Sequence, residues 1–479
     1  MKLETNRRNF LKTAGIVGVG MMAGGLSSCS GNRSPSDAPA SKQEHKQIVN
    51  MSGYAAPPLK TVRVAVTGTG RRARTIIRSL ARVEGVRFTA LNDVVPKEAE
   101  MALETLNKAA PVKHSPEIYA AGDEEEWKKM CDRDDIDLVV IGTPWHLHTP
   151  QAVYAMKSGK HAATEVPAAQ TIDECWQLVE TSERTRKHCI QMTNVCFGFF
   201  EMLTLNMARQ GFFGEIIHGD GGYMHHLIDR IMQYGYYRNM TRMRCRAQRD
   251  GALYPLHGLG TMAQIMDINH GDQFDFMVSL SSADFLMQAR ARELAKADPF
   301  YEEFVNAKFV GTMNTSIIRT KRGRTVMLQN DMISPRPYDR IHQVSGTKAI
   351  ARRFPEPMIS VDPEKGWLTE KDSKFKEIEE KYTPEITRRI GDLAKKIGGH
   401  GGMDTVMAWR IIDCLRNGIP MDLTVYEAAQ WSSVIPSSVW SVAHNGTPVS
   451  IPDFTCGAWK TNKRCMDIQL EKGGTTKLI

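Results

Sequence analysis

The sequence predicts an α/β protein in two parts: a doubly wound parallel sheet, then an α+β domain with an open, largely antiparallel sheet. Three observations lead there. Residues 62–73 read VRVAVTGTGRRA, a β-branched run, then Gly68-x-Gly70-x-x-Ala73 opening the helical stretch RTIIRSLARV. That strand–turn–helix order is what a Rossmann-type dinucleotide fold requires. From 62 to about 197, strand-like and helical runs alternate, as parallel βα units do. The length of 479 residues suits two domains behind a leader.

Taken in order, the expected strands are 62–67, 86–91, 137–141, 160–164 and 189–195, with ligands at their carboxyl ends. Gly68 and Gly70 allow a tight turn and close approach of a pyrophosphate, and Ala73 lets the helix pack on the sheet. Asp93 closes FTALND, roughly twenty residues past the glycines, where a carboxylate accepts from both ribose hydroxyls. Arg71 and Arg72 argue weakly for a 2′-phosphate, which the carboxylate would repel. NAD is therefore the expected cofactor.

The later strands end in IGTPWHLHTP and HAATEVPAA. His146 and His148 stand one residue apart, but a metal needs further ligands at hand. A loop bordering the nicotinamide is the better reading, and no metal is expected. Asn194, closing MTNV, is a candidate amide near the nicotinamide ribose; the alternative is a turn residue. From about 214 to 390 the chain reads as the second, open sheet, with 368–397 a solvated helical face. A helix over 403–416 should pack back toward the first domain.

The formal charge is +8, and Lys2, Arg7, Arg8 and Lys12 against Glu4 place much of that excess at the N-terminus. No Lys/Arg block is dense enough for a nucleic-acid face, so nucleic acid is not an expected partner. Residues 6–12, NRRNFLK, precede an apolar, Gly-rich run to Leu26 that is too short for a comfortable membrane span. This has the look of a twin-arginine leader. Leu26-Ser27-Ser28-Cys29 resembles a lipoprotein processing site, which makes Cys29 a candidate lipid anchor; a plain cleavage site is the alternative. The expected organisation is a leader at 1–29, a flexible tether at 30–58, a nucleotide-binding domain at 59–197 and a substrate domain at 198–479. The expected localisation is the cell envelope or periplasm, and a homo-oligomer is allowed. The cysteines beyond Cys29 form no CxxC pair and read as buried thiols of a protein folded before export. Nicotinamide cofactor is scarce outside the cytoplasm. An exported dehydrogenase that released NADH each turnover would stall, so the cofactor should travel bound and be regenerated within each cycle.

The order GxGxxA, TPxxxH, E-x-P resembles the glucose–fructose oxidoreductase and inositol dehydrogenase superfamily. There the last motif is usually E-K-P, its Lys reaching the reacting alcohol; here it is Glu165-Val166-Pro167. The segments DGALYPLHGLGTMAQIMDINHGDQFDFMVSLSS (250–282), SPRPYDR (334–340) and GGHGGMDTVMAWRIIDCLRNG (398–418) resemble glycoside hydrolase family 109. These are NAD-dependent enzymes described as α-N-acetylgalactosaminidases, and the resemblance covers roughly 62–453. Leu256 stands where that family is expected to have Thr. The resemblance implies cofactor contacts at Arg71, Arg72, Asp93, Trp145, His146, Leu147, His148, Glu165, Val166 and Asn194. It implies sugar contacts at Tyr223, Arg242, Tyr254, Pro255, Leu256, His257 and Tyr338.

An ordinary glycosidase sets two carboxylates about the scissile bond. The motif regions carry no convincing pair; they carry Tyr223, Tyr254, His257, Tyr338 and His400. That inventory suits a redox-assisted elimination: hydride from carbon 3 to NAD, loss of the proton on carbon 2, departure of the glycosidic oxygen, addition of water at carbon 1, and return of the hydride. His257 is the first choice for acid/base work, since an imidazole titrates in the working range. Gly258 and Gly260 suggest close backbone approach, and Tyr254 is placed to relay or assist. His400 is either a turn residue or a substrate group, and Asp404 suits the positive end of its helix. The expected partner is a glycan. Two alternatives stay open: a sugar oxidoreductase or epimerase of the same superfamily, and an NAD-containing sugar-binding protein without turnover.

Overall fold

The computed structural model describes residues 45–234 and 240–479. The leader, Cys29 and residues 30–44 of the expected tether lie outside the described residues.

The first sheet has six parallel strands, β1 (Val62–Thr67), β2 (Val86–Asn92), β3 (Glu117–Tyr119), β4 (Leu138–Ile141), β5 (His161–Thr164) and β6 (Cys189–Gln191), in the order β3-β2-β1-β4-β5-β6. Four of these match the expected strands closely, and β6 begins where expected. β3 was not foreseen, because it is a short edge strand, largely exposed, with no apolar run to announce it. The run at 189–195 stops early. The amides of Thr193 and Asn194 turn back onto the carbonyls of Gln191 and Met192 at 2.8 and 3.1 Å, starting a 3-10 turn over Asn194–Phe197.

Helix α1 (Arg71–Leu80) buries Ala73, Ile76, Ile77 and Leu80, the single stripe that 3.6-residue spacing produces. Burying each of the larger ones stabilises the domain by about 1.5–3 kcal/mol. Helices α2 (His148–Lys157) and α3 (Ile172–Thr185) follow β4 and β5. Thr171 and Glu174 start α3 with reciprocal side-chain caps.

Nine strands form the second sheet, from β7 (Ile216–Met224) through β8 (Phe274–Ser281), β9 (Asn314–Thr320), β10 (Thr325–Asp331), β11 (Gln343–Gly346), β12 (Ile350–Arg352), β13 (Met358–Ser360) and β14 (Leu368–Thr369) to β15 (Val449–Ser450). Their order is β14-β13-β12-β11-β7-β10-β9-β8-β15, and every pairing is antiparallel except β10 with β7. The stretch expected as a helical face at 368–397 carries the helices Ser373–Tyr382 and Glu385–Ile397, and the sheet's last strand returns from 449, beyond the expected end of the sheet.

Helix α4 (Thr241–Gln248) lies beyond β7, and α5 (Leu256–Ile265) packs directly on that strand. An ideal Cβ on Gly258 would stand 2.3 Å from the amide nitrogen of Gly222, and one on Gly221 would stand 2.4 Å from the Gly258 carbonyl oxygen. Only glycine on both sides lets helix and strand meet backbone to backbone. Helices α6 (Met403–Asn417) and α7 (Val425–Ser432) turn back onto the first domain, as expected for 403–416. Ser79 of α1 meets Thr405 of α6 at 3.1 Å, and Ser432 of α7 donates to Gln191 of β6 at 2.9 Å.

The tether reading is corrected over 45–58. This stretch lies on α3 and α7: His45 stacks on Trp176 with centroids 3.8 Å apart, and Met51 is buried. The amide of Ile48 donates to Glu183 at 2.6 Å, while the Tyr426 hydroxyl donates to the other oxygen of that carboxylate at 2.8 Å. Polar composition hid a segment whose backbone donors are satisfied by a buried acid.

Several imidazoles are enclosed by this packing. Burial holds His148, His161 and His257 below the ordinary imidazole value and brings His188 and His342 down to about 4. The unfolded chain takes up these protons from about pH 6.5 downward. Stability carried by the neutral rings is therefore complete above about 6.5 and falls as pH drops toward the folded values. For His188 and His342 the loss at pH 5 is about 2 kcal/mol each. The urea midpoint should fall between pH 7 and pH 5; a constant midpoint across that window would contradict this account.

Candidate active site

The site forms where the carboxyl ends of β1, β2, β4, β5 and β6 face the end of β7 and the start of α5. Gly70 caps α1 with no side-chain acceptor, no acidic residue in the first turn, and no atom within 4 Å of where a Cβ would be. Uncapped amides and the positive helix end thus face open space, a cradle fitted to a pyrophosphate. Gly68 has a different role. Its φ is +74° and a Cβ there would meet the Thr143 amide at 2.5 Å, so it seals the β1 loop against the β4 loop. Ala73 packs in the same seam, 3.0 Å from where a Cβ on Gly142 would lie.

Asp93 follows β2. One carboxylate oxygen accepts from the Thr69 amide at 2.8 Å and the other from the Val95 amide at 2.9 Å. The acid is thereby fixed beside the glycine turn, where a ribose belongs. Trp145 and Leu147 form a single 3-10 turn with His146, which is exposed. His148 is buried, with Nδ1 2.7 Å from the Pro167 carbonyl and Nε2 2.8 Å from that of Thr143. Both its nitrogens are occupied by backbone, so it fastens the β4 loop to the Glu165-Val166-Pro167 loop. Val166, in place of the usual Lys, is buried in the core.

Arg72 stands between the domains. Its Nε donates to Glu165 at 2.8 Å and its Nη1 to Asp404 at 2.9 Å. Asp404 also accepts from Asn194 Nδ2 at 2.9 Å and pairs with His400 Nδ1 at 2.6 Å. Burial alone would raise the Asp404 carboxyl; the His400 hydrogen bond and the Arg72 charge overcome it and hold the group well below the usual range. Glu165 is pushed up by burial, partly opposed by Arg72. Arg72 is thus committed to two carboxylates and is not offered to a 2′-phosphate, and Arg71 is exposed. Asp404 does more than favour a helix end: it carries the junction. Asn194 is buried, and its Oδ1 has no hydrogen-bond partner among the described residues.

The sugar side is aromatic. Tyr223 lies 5.1 Å from Tyr254 and 5.1 Å from His257, and Tyr254 is 5.1 Å from His257, all between ring centroids. Tyr254 stacks on Trp145 at 5.7 Å, and the guanidinium of Arg242 covers both rings, at 4.9 and 5.4 Å. The exposed ring of Tyr338 stands edge-on to Tyr223 at 6.2 Å. The expected contacts Tyr223, Arg242, Tyr254, His257 and Tyr338 are therefore brought together. Pro255 caps α5 beside them. Leu256 is fully buried in the core, so its side chain presents no surface to a sugar.

His257 is half-buried, and its Nδ1 is enclosed without a hydrogen-bond partner. Burial first, then the charges of Arg340 and Arg72, hold it well below the ordinary imidazole value. The ring is therefore held in its neutral form rather than titrating near the ordinary imidazole value. The close approach expected at Gly258 is the seam with β7, which sets His257 beside Tyr223. Gly260 faces Trp431 and Cys196.

Three residues escaped the sequence reading. His225, two residues past Tyr223, lies 3.0 Å from its hydroxyl. Arg340 donates to the Tyr338 hydroxyl at 2.8 Å and to the buried Glu201 at 2.5 Å. Arg340 ends the SPRPYDR motif, so its spacing from Tyr338 was the available signal; Glu201 gave none.

Fold and site together define a two-domain NAD-binding enzyme whose second domain brings a cluster of tyrosines and a histidine to the carboxyl ends of the first sheet. Residues 62–193 match the model of the NAD-binding Rossmann fold of an oxidoreductase family, and residues 198–461 match that of the glycosyl hydrolase 109 C-terminal domain. The chain belongs to glycosyl hydrolase family 109, and it is a glycosidase that binds NAD. It is 42% identical over 464 residues to a glycosyl hydrolase family 109 protein of Solibacter usitatus, covering 96% of this chain and 99% of that one. To an α-N-acetylgalactosaminidase of Bacteroides fragilis it is 42% identical over 411 residues, 85% of this chain and 95% of the other. A levoglucosan dehydrogenase solved with NADH and levoglucosan shares the fold, with a TM-score of 0.61 at 16% identity over 82% of this chain and 100% of that one.

The two glycines predict opposite outcomes. Gly70→Val has room and an ordinary φ of −59°, so it should leave the melting temperature nearly unchanged while cutting bound NAD at least about tenfold, by filling the phosphate cradle. Gly68→Ala should instead destabilise the fold by about 1–2 kcal/mol or more, from the left-handed φ and the clash with Thr143. Nucleotide content and thermal melts of the purified variants distinguish the two; loss of stability in the first would show that the cradle is misassigned.

Proposed function

We propose that this chain hydrolyses terminal α-linked N-acetylgalactosamine, or a closely related sugar, by elimination and readdition with no net redox change. The observation that carries the reading is the state of the nearby carboxylates. Glu165 and Asp404 are tied to Arg72, and Glu201 to Arg340, which leaves acid–base work to imidazole and phenol. NAD, when bound, supplies an acceptor for the hydride of carbon 3 and returns it at the end of the cycle.

His257, neutral with a lone pair to offer, takes the proton on carbon 2, which the neighbouring ketone makes acidic. Tyr254, in contact with that ring, relays the proton. Breaking the bond between carbon 1 and the glycosidic oxygen releases the aglycone, which leaves with a proton. Tyr338, whose oxygen accepts from Arg340, is placed to donate it. Water then adds across carbons 1 and 2, hydroxyl to carbon 1 and proton to carbon 2. Trp145, Tyr223 and Arg242 wall the pocket and exclude competing water.

Purified protein should release about one NAD per chain on denaturation and cleave an aryl α-N-acetylgalactosaminide without added cofactor. Carbon 2 of the sugar should exchange its proton with deuterated solvent. His257→Ala should lower turnover about 10²–10⁴-fold with NAD retained. Full activity in nucleotide-free protein would overturn the proposal. Net NADH formation without cleavage would identify an oxidoreductase instead, and sugar binding with neither exchange nor cleavage a binding protein.

The leader supports a further part of this reading, export of the folded, NAD-loaded protein by the twin-arginine route with anchoring at Cys29. Replacing Arg7 and Arg8 by Lys should retain the protein inside the cell; unchanged fractionation would count against it.

A further inference from the structure

Three side chains distant in sequence meet at the end of α5 opposite His257: His270 in the turn after the helix, Glu427 in the first turn of α7, and Cys465 in the C-terminal segment. Cys465 Sγ and Glu427 Oε1 each lie 3.1 Å from His270 Nε2, and the three donor atoms all fall within 4.8 Å of one another. A nitrogen carries one proton at most, yet two acceptors address this one. Nδ1, on the far side of the ring, donates to the Lys463 carbonyl at 2.7 Å. With Nδ1 given to that carbonyl, Nε2 faces the thiol and the carboxylate together, and Nε2, Oε1 and Sγ form a triangle that one ion can span.

The surroundings are those of a ligand set. Glu427 is held for one-oxygen binding: Oε2 accepts from the Thr424 amide and hydroxyl at 2.8 and 2.6 Å, and Oε1 from Asn269 Nδ2 at 2.9 Å. Asn269 is fully buried, and its Oδ1 has no partner, an acceptor on the same amide that touches the cluster. A carbonyl receiving the second N–H of a histidine is the usual outer support of a metal ligand. Arg209 fixes the third ligand by donating to the carbonyls of Cys465 and Met466 at 2.7 and 2.6 Å.

We propose that His270, Glu427 and Cys465 bind a divalent transition metal of the zinc class, with water as fourth ligand. The thiolate and imidazole disfavour magnesium and calcium, and the mixed nitrogen, oxygen and sulfur set suits a tetrahedral borderline ion. Thiolate and carboxylate together balance the double positive charge. On binding, the thiol proton passes to solvent and no redox change occurs. The side chains of His270 and Glu427 are buried, at 6% and 2% exposure, so the ion is held inside the fold. The metal joins the end of α5, the start of α7 and the C-terminal segment.

The test uses the full chain, stripped with chelator and dialysed against one equivalent of Zn²⁺ or Co²⁺. One metal per chain should be retained, the cobalt form should show a thiolate-to-cobalt charge-transfer band, and both should be lost in Cys465→Ala. Zinc should raise the melting temperature of the wild type and not of that variant, with bound NAD measured in the same samples as a check on folding. Where Cys465→Ala fails to fold, the cobalt band and protection of Cys465 from alkylation by zinc in the wild type decide the matter. Equal uptake by wild type and variant, cobalt bound without the band, or no metal retained would overturn the proposal.

Discussion

The site depends on one buried charge arrangement, Arg72 between Glu165 and Asp404. Arg72 comes from the first helix of the nucleotide domain, Glu165 from the end of β5, and Asp404 from a helix that the chain makes more than two hundred residues after leaving that domain. Removing one partner of such a group leaves an uncompensated charge, at a cost of about 3–5 kcal/mol. The arrangement therefore acts less as a source of net stability than as a constraint on registration. Asn194 and His400 are positioned through the same Asp404 carboxylate, so the nicotinamide side and the sugar side of the pocket share one anchor.

That economy explains the division of chemical labour. Three buried acids around the junction are spent on holding arginines: Glu165 and Asp404 on Arg72, Glu201 on Arg340. Burial first, helped by these arginines, lowers the His257 imidazole, and Arg340 orients the Tyr338 hydroxyl. A pocket built this way offers weak, mobile protons rather than two opposed carboxylates. Such groups suffice only if the bond to be broken is first activated, as the ketone of the proposed mechanism would do.

What the sequence disclosed follows the physics of its signals. The β1 run, the glycine turn and α1 declare themselves because a strand buried on both faces and a one-sided helix impose strict patterns. Asp93 was legible from its distance to the glycines. The aromatic sugar contacts were legible because they sit inside long motifs. β3 was not, since an exposed edge strand needs no pattern, and neither was the strap at 45–58, which binds through a few scattered contacts, Met51 in the core and backbone donors on Glu183, rather than through a periodic apolar run. Asp404 looked like a helix-end residue because its partners are 332 and 210 positions away. Glu201 and Arg340 were hidden by the same separation.

The glycine seam between α5 and β7 has a consequence for redesign. With no side chain between the two backbones, His257 is carried on a fixed mount, and nothing near that mount can be enlarged or trimmed to retune the enzyme. Tyr338 and Arg242, by contrast, stand at an exposed rim and on a separate helix. If the proposed roles hold, exchanging rim residues would change which sugars enter, while His257 would keep its place on the seam.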